Sequence, residues 1–346
     1  MEMNQLFDLV AKEGASDIII SAGAPPMLRV NGQLLRTKGD ALTPEASQNL
    51  IYSVLTKEQI AKLEEERELD FSLAPTRKHR FRVNVYFQKA AVTAAFRPIP
   101  TEIPNWEDLG LPDYVAELAN AKQGLVLVTG PTGHGKTTTQ AAIIDLINET
   151  RACHVVTIED PIEYVHAHKK SIIDQREVGG DTLSFVSALK YVLRQDPDVI
   201  QIGEMRDLET IQAALTSAET GHLVFATLHT NDAIQTVDRV IDVFPGTAQQ
   251  QIRFQLSMTL LAVISQRLLP RDDGEGRVMA IELLKNNMAI ANLIREGKTH
   301  QVLSALETGK KEGMITLDKS IQGLYTNGII SFDEAKINMR NPDALK

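Results

Sequence analysis

Residues Gly130–Thr137 have the types and spacing that suit phosphate binding. Their sequence, GPTGHGKT, fits the pattern G-x-x-x-x-G-K-[S/T] and lies between an apolar strand pattern and a helical pattern. Glycines let backbone N–H groups turn toward phosphate oxygens, and the helix N-terminus adds partial positive charge. The residues expected to contact a nucleotide are Gly130, Pro131, Thr132, Gly133, His134, Gly135, Lys136, Thr137 and Thr138. The alternative is a tight glycine-rich connection that binds nothing.

An acid follows a second apolar strand pattern, Val199–Ile202. Gly203 stands where many phosphate-loop enzymes have a magnesium-binding Asp. Glu204 is therefore the remaining acid that could act in nucleotide hydrolysis. We expect Glu204 to orient or deprotonate a water that attacks the terminal phosphate. The simpler interpretation is a surface acid at the end of a strand.

Three more acids, Glu159, Asp160 and Glu163, follow the apolar run Val155–Ile158. Carboxylates beside a phosphate loop would repel the nucleotide unless a cation lies between them. We therefore expect Glu159 and Asp160 to meet Mg²⁺, partly through water and together with the Thr137 hydroxyl. We expect Glu163 to be a catalytic residue.

Two histidines bracket the apolar run Leu223–Ala226. A histidine beside the terminal phosphate can donate a hydrogen bond whose strength changes on hydrolysis. We expect His229 to sense phosphate, and His222 to bind nucleotide or to be structural. A zinc site is excluded, because the histidines lie seven residues apart with no cysteine nearby.

The elements that carry these residues indicate a parallel sheet buried on both faces. Short unbroken apolar runs alternate with helical stretches, as in an open α/β fold. Because ligands bind at the carboxyl ends of such strands, the four run endings should converge there. The runs are Leu125–Val128, Val155–Ile158, Val199–Ile202 and Leu223–Ala226.

The first hundred residues predict an α+β domain. Met27–Arg36 is typical of a hairpin, with Asn31-Gly32 in its turn. Phe81, Val83, Val85 and Phe87 alternate with polar residues, which gives one apolar face and one exposed face. A basic cluster that is either a candidate anion contact or a solvated surface comprises Arg77, Lys78, Arg80 and Arg82.

Domain boundaries follow from the prolines between Pro98 and Pro112, which break regular structure. We predict an N-terminal domain over 1–98, a linker over 99–112 and a second domain over 113–346. From about Gln249 onward the pattern predicts helices throughout.

Composition excludes several classes. The 346 residues carry a net charge of −9, which argues against broad binding to nucleic acid. The longest purely apolar run, Leu260–Ile264, is too short to insert into a bilayer. The single Cys153 and the acidic, poorly apolar start favour a cytoplasmic location.

Five segments together resemble the conserved boxes of the secretion ATPases, and most closely the PilT-type retraction ATPases of type IV pili. They are Gly130–Thr137, Thr157–Glu163, Gln175–Gly179, Asp196–Asp207 and Gly221–Thr230. The resemblance implies a PAS-like α+β domain followed by a RecA-like ATPase domain with a helical C-terminal part. It also implies ATP and Mg²⁺ as ligands, a homohexameric ring that drives pilus disassembly, and a peripheral position at the inner membrane. The implied partners are an inner-membrane platform protein and a paralogous retraction ATPase.

The resemblance assigns roles residue by residue. It puts Lys136 and Thr137 in the Walker A motif, Glu204 in the Walker B motif, and the other acids and both histidines in their own boxes. It further implies that arginines of the N-terminal domain reach the nucleotide and that others close a site between subunits. These arginines are Arg82 and Arg97 in the first group, and Arg194 and Arg206 in the second. Each could equally form an ordinary ion pair.

Two departures from the family pattern leave alternatives open. His134 stands where the family usually has Ser, and Ala291 stands where its retraction segment has Arg. One alternative is a pilus-assembly or type II secretion ATPase, although those relatives commonly carry a tetracysteine insertion that a single Cys153 cannot form. The other is an accessory ring protein that binds nucleotide with little turnover.

Overall fold

The computed structural model describes residues 2–30, 32–76, 79–100 and 102–345. By its contacts the chain divides into two compact units. Unit 1 comprises Met1–Glu102 and Pro161–Val165, and unit 2 comprises Ile103–Asp160 and His166–Lys346. The residues Asn31, Arg77 and Lys78 lie outside the described residues, so the turn and half of the basic cluster stay predictions.

Unit 1 is built on a six-stranded antiparallel sheet with the order β3-β2-β1-β6-β5-β4. Its core includes the packed rings of Phe7, Phe81 and Phe96. The predicted hairpin and the predicted alternation along β5 are confirmed, because Val83 and Val85 are fully buried while Arg82 is exposed. The elements are α1 (Met3–Glu13), β1 (Asp17–Ile20), β2 (Met27–Val30), β3 (Gln33–Arg36), α2 (Pro44–Tyr52), α3 (Lys57–Glu66), β4 (Glu68–Thr76), β5 (His79–Gln88) and β6 (Ala91–Ile99).

Unit 2 contains a seven-stranded sheet that helices cover on both faces. Its elements are α4 (Tyr114–Ala119), β7 (Gly124–Thr129), α5 (Lys136–Thr150), β8 (His154–Glu159), β9 (Ile172–Glu177), α6 (Phe185–Val192), β10 (Val199–Ile202), α7 (Leu208–Glu219), β11 (Leu223–Leu228), α8 (Ala233–Asp242), α9 (Gly246–Thr259), β12 (Leu260–Pro270), β13 (Arg277–Lys285), α10 (Met288–Arg295), α11 (Val302–Thr308), α12 (Leu317–Thr326) and α13 (Phe332–Asn338). The strand order is β13-β12-β7-β11-β10-β8-β9.

All neighbouring strands of this sheet are parallel except β12 and β13. β7, β10 and β11 are buried along their whole length, as their mostly apolar sequences predict, and the buried residues of β10 include the polar Gln201. The predicted α/β class with a parallel core is therefore confirmed.

The prediction of helices throughout from Gln249 onward is wrong. β12 pairs with β7, and β13 pairs with β12, so residues 260–285 extend the sheet. Most of both strands is buried, and such strands lack the alternation that distinguishes them from buried helix. The spacing of Leu183, Val186, Leu189 and Leu193 predicts a helix. That helix begins only at Phe185, because the Ser184 side chain caps it and Leu183 stays exposed. Within the described residues, no helix has both the length and the apolarity to cross a bilayer.

Candidate functional site

The phosphate loop Gly130–Thr137 connects the end of β7 to the start of α5. Gly130 has φ +145°, and a Cβ atom there would collide with the backbone oxygen of Gln266. Gly135 has φ +81° and caps α5 in the left-handed conformation. Both positions therefore require glycine. The phosphate loop leads directly into the N-terminus of the 15-residue helix α5, whose partial positive charge favours a phosphate bound in the loop.

Two neighbouring strands hold this loop from the side. Gln266 on β12 donates from Nε2 to the His134 oxygen at 2.6 Å, and the Leu268 amide donates to His134 Nδ1 at 2.9 Å. Arg277 on β13 donates to the Gly133 oxygen at 3.1 Å. The side chain of His134 is thus part of the loop's support, which explains how a histidine is accommodated where the family usually has serine.

This support makes the loop sensitive to acid. Burial is the main cause that lowers the pKa of His134, and the charges of Arg277, Arg267 and Lys136 lower it further. A lowered folded-state pKa contributes stability above the ordinary value of about 6.5 and loses it as the pH falls through the folded value. Protonated Nδ1 could not accept the Leu268 hydrogen bond.

We therefore expect His134→Asn, which keeps a short acceptor but does not titrate, to flatten the loss of thermal stability between pH 7.5 and 5. Thermal unfolding midpoints of the purified protein measure this. His300→Asn, at an exposed position, is the control and should follow the parent. Parallel curves for His134→Asn and the parent would contradict the assignment.

Lys136 lies inside the loop, with only 8% of its surface exposed. Its Nζ donates to the oxygens of Gly130 at 2.8 Å and Pro131 at 3.0 Å, and lies 3.4 Å from His229 Nδ1. The half-buried Thr137 follows on the first turn of α5. The positive charge of Lys136 therefore lies inside the curve of the loop backbone.

The predicted convergence of the strand endings is confirmed. The Gly203 amide donates to the Ile158 oxygen at 2.8 Å, and the Met205 amide donates to the Thr227 oxygen at 3.0 Å. These bonds join the ends of β8, β10 and β11. β7 pairs with β11 in register up to its last residue, so the loop lies at the same edge.

Glu204 and His229 meet at this edge. His229 Nε2 lies 3.0 Å from Glu204 Oε1, while His229 Nδ1 lies 3.3 Å from the Thr132 hydroxyl. The histidine thus contacts the acid with one nitrogen and the phosphate loop with the other. A change at the phosphate loop can therefore reach Glu204 through one side chain.

Arg206 also contacts Glu204, at 2.8 Å. Burial by itself raises the pKa of Glu204, but the hydrogen bond from Arg206 and the nearby His229 outweigh burial and lower it. Glu204 is therefore ionised at neutral pH. Within this chain the Arg206 guanidinium forms the ion pair that was the alternative, and its role at a site between subunits stays a prediction.

The acids after β8 separate. Glu159 is 4% exposed and accepts hydrogen bonds from Thr157 Oγ1 at 2.6 Å and Gln175 Nε2 at 3.1 Å. Asp160 is exposed, and its charge adds to the hydrogen bond and charge of Glu204, which are the main causes that raise the pKa of Arg206. Glu163 is exposed and belongs to the short segment that groups with unit 1. In the described part of the chain, no three His, Cys, Asp or Glu side chains converge as a metal cluster.

Two predicted site residues lie at the opposite edge of the sheet. His222 precedes the fully buried β11 and His229 follows it, so the two lie about 23 Å apart at about 3.3 Å per residue. Its Nδ1 is 3.0 Å from the Ser217 oxygen, so within this chain His222 makes a structural hydrogen bond. Arg194 is exposed in the connection that leads to the amino end of β10. Neither lines the phosphate loop of its own chain.

Arg82 and Arg97 lie directly opposite each other on β5 and β6 of unit 1. Like charges in such a pair repel. Arg97 is paired with Asp17 at 3.0 Å, and Asp17 also lies 3.6 Å from Arg29. The pair is a local concentration of positive charge on unit 1, which an anion would stabilise.

Sequence reasoning missed the residues that support the site from β12 and β13. Gln266, Leu268 and Arg277 stand more than 130 positions after the loop residues that they contact. Gln175 donates a hydrogen bond to Glu159. It lies in Gln175–Gly179, one of the five segments that resemble the family, but the sequence did not predict this contact. No local pattern marks these residues, and only recognition of β12 as a strand could have suggested them.

Comparison with known proteins places this site in a family. The profile of the type II/IV secretion system proteins matches residues 2–336. A Pseudomonas aeruginosa protein named type IV pilus retractation ATPase PilT is 48% identical over 343 residues, which cover 99% of each chain. The type IV pilus ATPase PilU of the same organism is 42% identical over 346 residues, which cover 100% of this chain and 91% of the relative.

A solved structure, the pilus retraction motor PilT with bound ADP, superposes with a TM-score of 0.94. It is 50% identical, and the match covers 100% of this chain and 99% of that one. The predicted class, a PAS-like α+β domain followed by a RecA-like ATPase domain, is confirmed by the sheets and by this match. The chain belongs to the family of type II/IV secretion system proteins.

Proposed function

We propose that this chain hydrolyses ATP and uses the energy to retract type IV pili, which supports twitching motility. The observation that carries the ATPase assignment is the contact of His229 with both Glu204 and the phosphate loop. Retraction is supported by similarity over nearly the full length of a protein named as a retraction ATPase. Nucleotide binding is supported by the ADP-bound relative.

ATP would place its β- and γ-phosphates in the curve of the phosphate loop. Lys136 Nζ, which donates to two loop oxygens, would exchange them for phosphate oxygens of greater negative charge. The Thr137 hydroxyl and the carboxylates of Glu159 and Asp160 suit Mg²⁺, which prefers oxygen ligands and keeps several waters. Bound Mg²⁺ would neutralise charge on the phosphate oxygens.

Glu204 would orient the attacking water. Its lowered pKa makes it a weak base, so positioning of the water contributes more than early proton abstraction. Before a water can occupy this place, the contact with Arg206 must rearrange. His229 would transmit the state of the γ-phosphate to Glu204, because one of its ring nitrogens contacts Glu204 and the other contacts Thr132 in the phosphate loop.

A cavity of about 590 Å³ beside the loop would take the adenosine. It is lined by Gly135 and Thr138 on the loop side and by apolar Leu268 and Met279 on the strand side. Arg277 is also part of the lining. A flat apolar base and a polar ribose suit such a mixed surface.

The proposed assembly is a homohexamer that works at the cytoplasmic side of the inner membrane on a pilus platform protein, with a paralogous ATPase as a further partner. The paired Arg82 and Arg97 would approach nucleotide in the closed ring. Arg194 is a candidate for the neighbouring subunit, because it lies away from its own chain's phosphate loop.

Two measurements test the function. The purified protein should release phosphate from ATP in the presence of Mg²⁺, and the gene should restore twitching to a host whose own retraction gene is deleted. Phosphate release without restored twitching would remove the retraction assignment and favour an assembly or secretion ATPase. The absence of phosphate release would remove the motor assignment altogether.

An accessory ring protein is the second candidate, because Ala291 on α10 replaces the family's arginine and because the chain also matches the PilU relative over its whole length. Such a protein would restore twitching only when a second retraction ATPase is present. Complementation of single and double deletion hosts distinguishes the two.

A further inference from the structure

The C-terminal segment is tied to the loop that carries His229. Arg340 Nη2 donates to Asp232 Oδ2 at 2.7 Å. Asp232 caps α8 with its other oxygen, which accepts from the Gln235 amide at 2.8 Å. Only two residues separate Asp232 from His229, so one end of this short loop is fixed by a residue from the far end of the chain.

The backbone around Arg340 is itself held in place. The amides of Arg340 and Asn341 donate to the two carboxylate oxygens of Asp318, at 2.7 and 2.9 Å. Arg267 on β12 donates to the Asn338 oxygen at 3.1 Å. The segment after α13 is therefore fixed on two sides, and it presents the Arg340 guanidinium to Asp232.

The start of α8 has a second fixed point. Glu282 on β13 is 4% exposed and accepts from the amide of Ala233 at 2.8 Å and from the amide of Leu317 at 3.4 Å. One buried carboxyl thus binds the first residues of both α8 and α12. This carboxyl holds the helix, but it does not hold the Asp232 side chain.

The other end of the loop is held by hydroxyl groups. The Thr230 hydroxyl lies 2.6 Å from that of Thr236, and Thr236 lies 3.5 Å from Thr129 at the end of β7. A cavity of about 460 Å³ borders Asp232 and Arg340. Because Asp232 is only 7% exposed, little water can solvate its carboxylate, so its hydrogen bonds must stabilise it.

We propose that Arg340 is a positioning residue for the proposed ATP hydrolysis, and that its ion pair with Asp232 holds the loop 229–232 so that His229 stays against Glu204. The inference rests on the proposed function. Arg340 itself touches neither the phosphate loop nor Glu204 in any described contact.

The test compares steady-state ATP hydrolysis of the full-length protein and its variants. Arg340→Ala should lower kcat about tenfold, since small displacements of a catalytic group are costly, and should leave the KM for ATP within about twofold. Arg340→Lys keeps the charge and should recover part of the loss. Lys298→Ala, which removes an exposed pair with Glu296 at 2.8 Å, is the matched control and should behave as the parent.

A second variant separates the ion pair from helix capping. Asp232→Asn keeps a good capping side chain and loses only the charge partner of Arg340. It should lower kcat as Arg340→Ala does, and the double variant should be no worse than either one. In a His229→Ala background, Arg340→Ala should have no further effect. A poorly folded Arg340→Ala variant would lose activity in both backgrounds, so the comparison with and without His229 separates misfolding from positioning.

The outcomes are distinguishable from failure of the proposed function. If the parent does not hydrolyse ATP, the proposed function fails. If the parent is active and both Arg340→Ala and Asp232→Asn keep its kcat, the inference is overturned. It is equally overturned if Arg340→Ala lowers kcat by the same factor with and without His229, because its role would then be general stability.

Discussion

Lys136→Ala is expected to weaken ATP binding by about 100- to 1,000-fold. The ammonium can make at least two charge-assisted hydrogen bonds to the β- and γ-phosphates, and together these are worth about 3 to 4 kcal/mol. The structure adds a second reason. Nζ also bonds the oxygens of Gly130 and Pro131, so its loss leaves the loop without the cation at its centre.

Equilibrium binding of a fluorescent ATP analogue with Mg²⁺ measures this effect. The matched control is Lys122→Ala, because Lys122 is exposed just before β7, at the other edge of the same sheet. The control should bind as the parent does. If Lys136→Ala keeps the parent dissociation constant, the nucleotide does not lie in this loop.

Glu204→Gln should separate binding from hydrolysis. We expect kcat to fall by about 10²- to 10⁴-fold, because the amide can neither attract the proton of the attacking water nor carry the charge that orients it. The dissociation constant for ATP should change little, since Glu204 contacts His229 and Arg206 and not the phosphate loop itself.

Phosphate release and analogue binding, measured on the same preparation, test this separation. Glu209→Gln, an exposed acid in the first turn of α7, is the control and should keep the parent kcat. A Glu204→Gln variant that turns over ATP like the parent would show that another group orients the water. Glu163 would then be the next candidate.

Much of the chemistry could be predicted from local sequence. Gly130–Thr137 is a contiguous motif, so its residue types and spacing can be recognised without knowing which distant residues support it. Glu204 and His229 were predicted because parallel strands end at one edge, and each follows a mostly apolar run, which Gln201 interrupts in the case of Glu204. The contact between them follows from that topology, because β10 and β11 are neighbours in register.

His222 shows the limit of assigning a role from membership of a conserved box. A residue's position in a conserved box does not tell which end of a strand it occupies. His222 precedes β11 and His229 follows it, so the same strand that brings one to the phosphate loop carries the other away. Direction along the strand decides this, and the sequence already indicates it, because His222 precedes the apolar run and His229 follows it.

The sequence by itself determined the phosphate loop, the four strand endings with their polar residues, and the family, because these depend on short segments and on the period of apolar residues. Only the tertiary structure decided what supports the loop and what holds His229. Gln266 and Leu268 act on His134 from β12, and Arg340 acts on Asp232 from the C-terminal segment. Such contacts join residues more than a hundred positions apart, and no local periodicity records which distant side chains will meet.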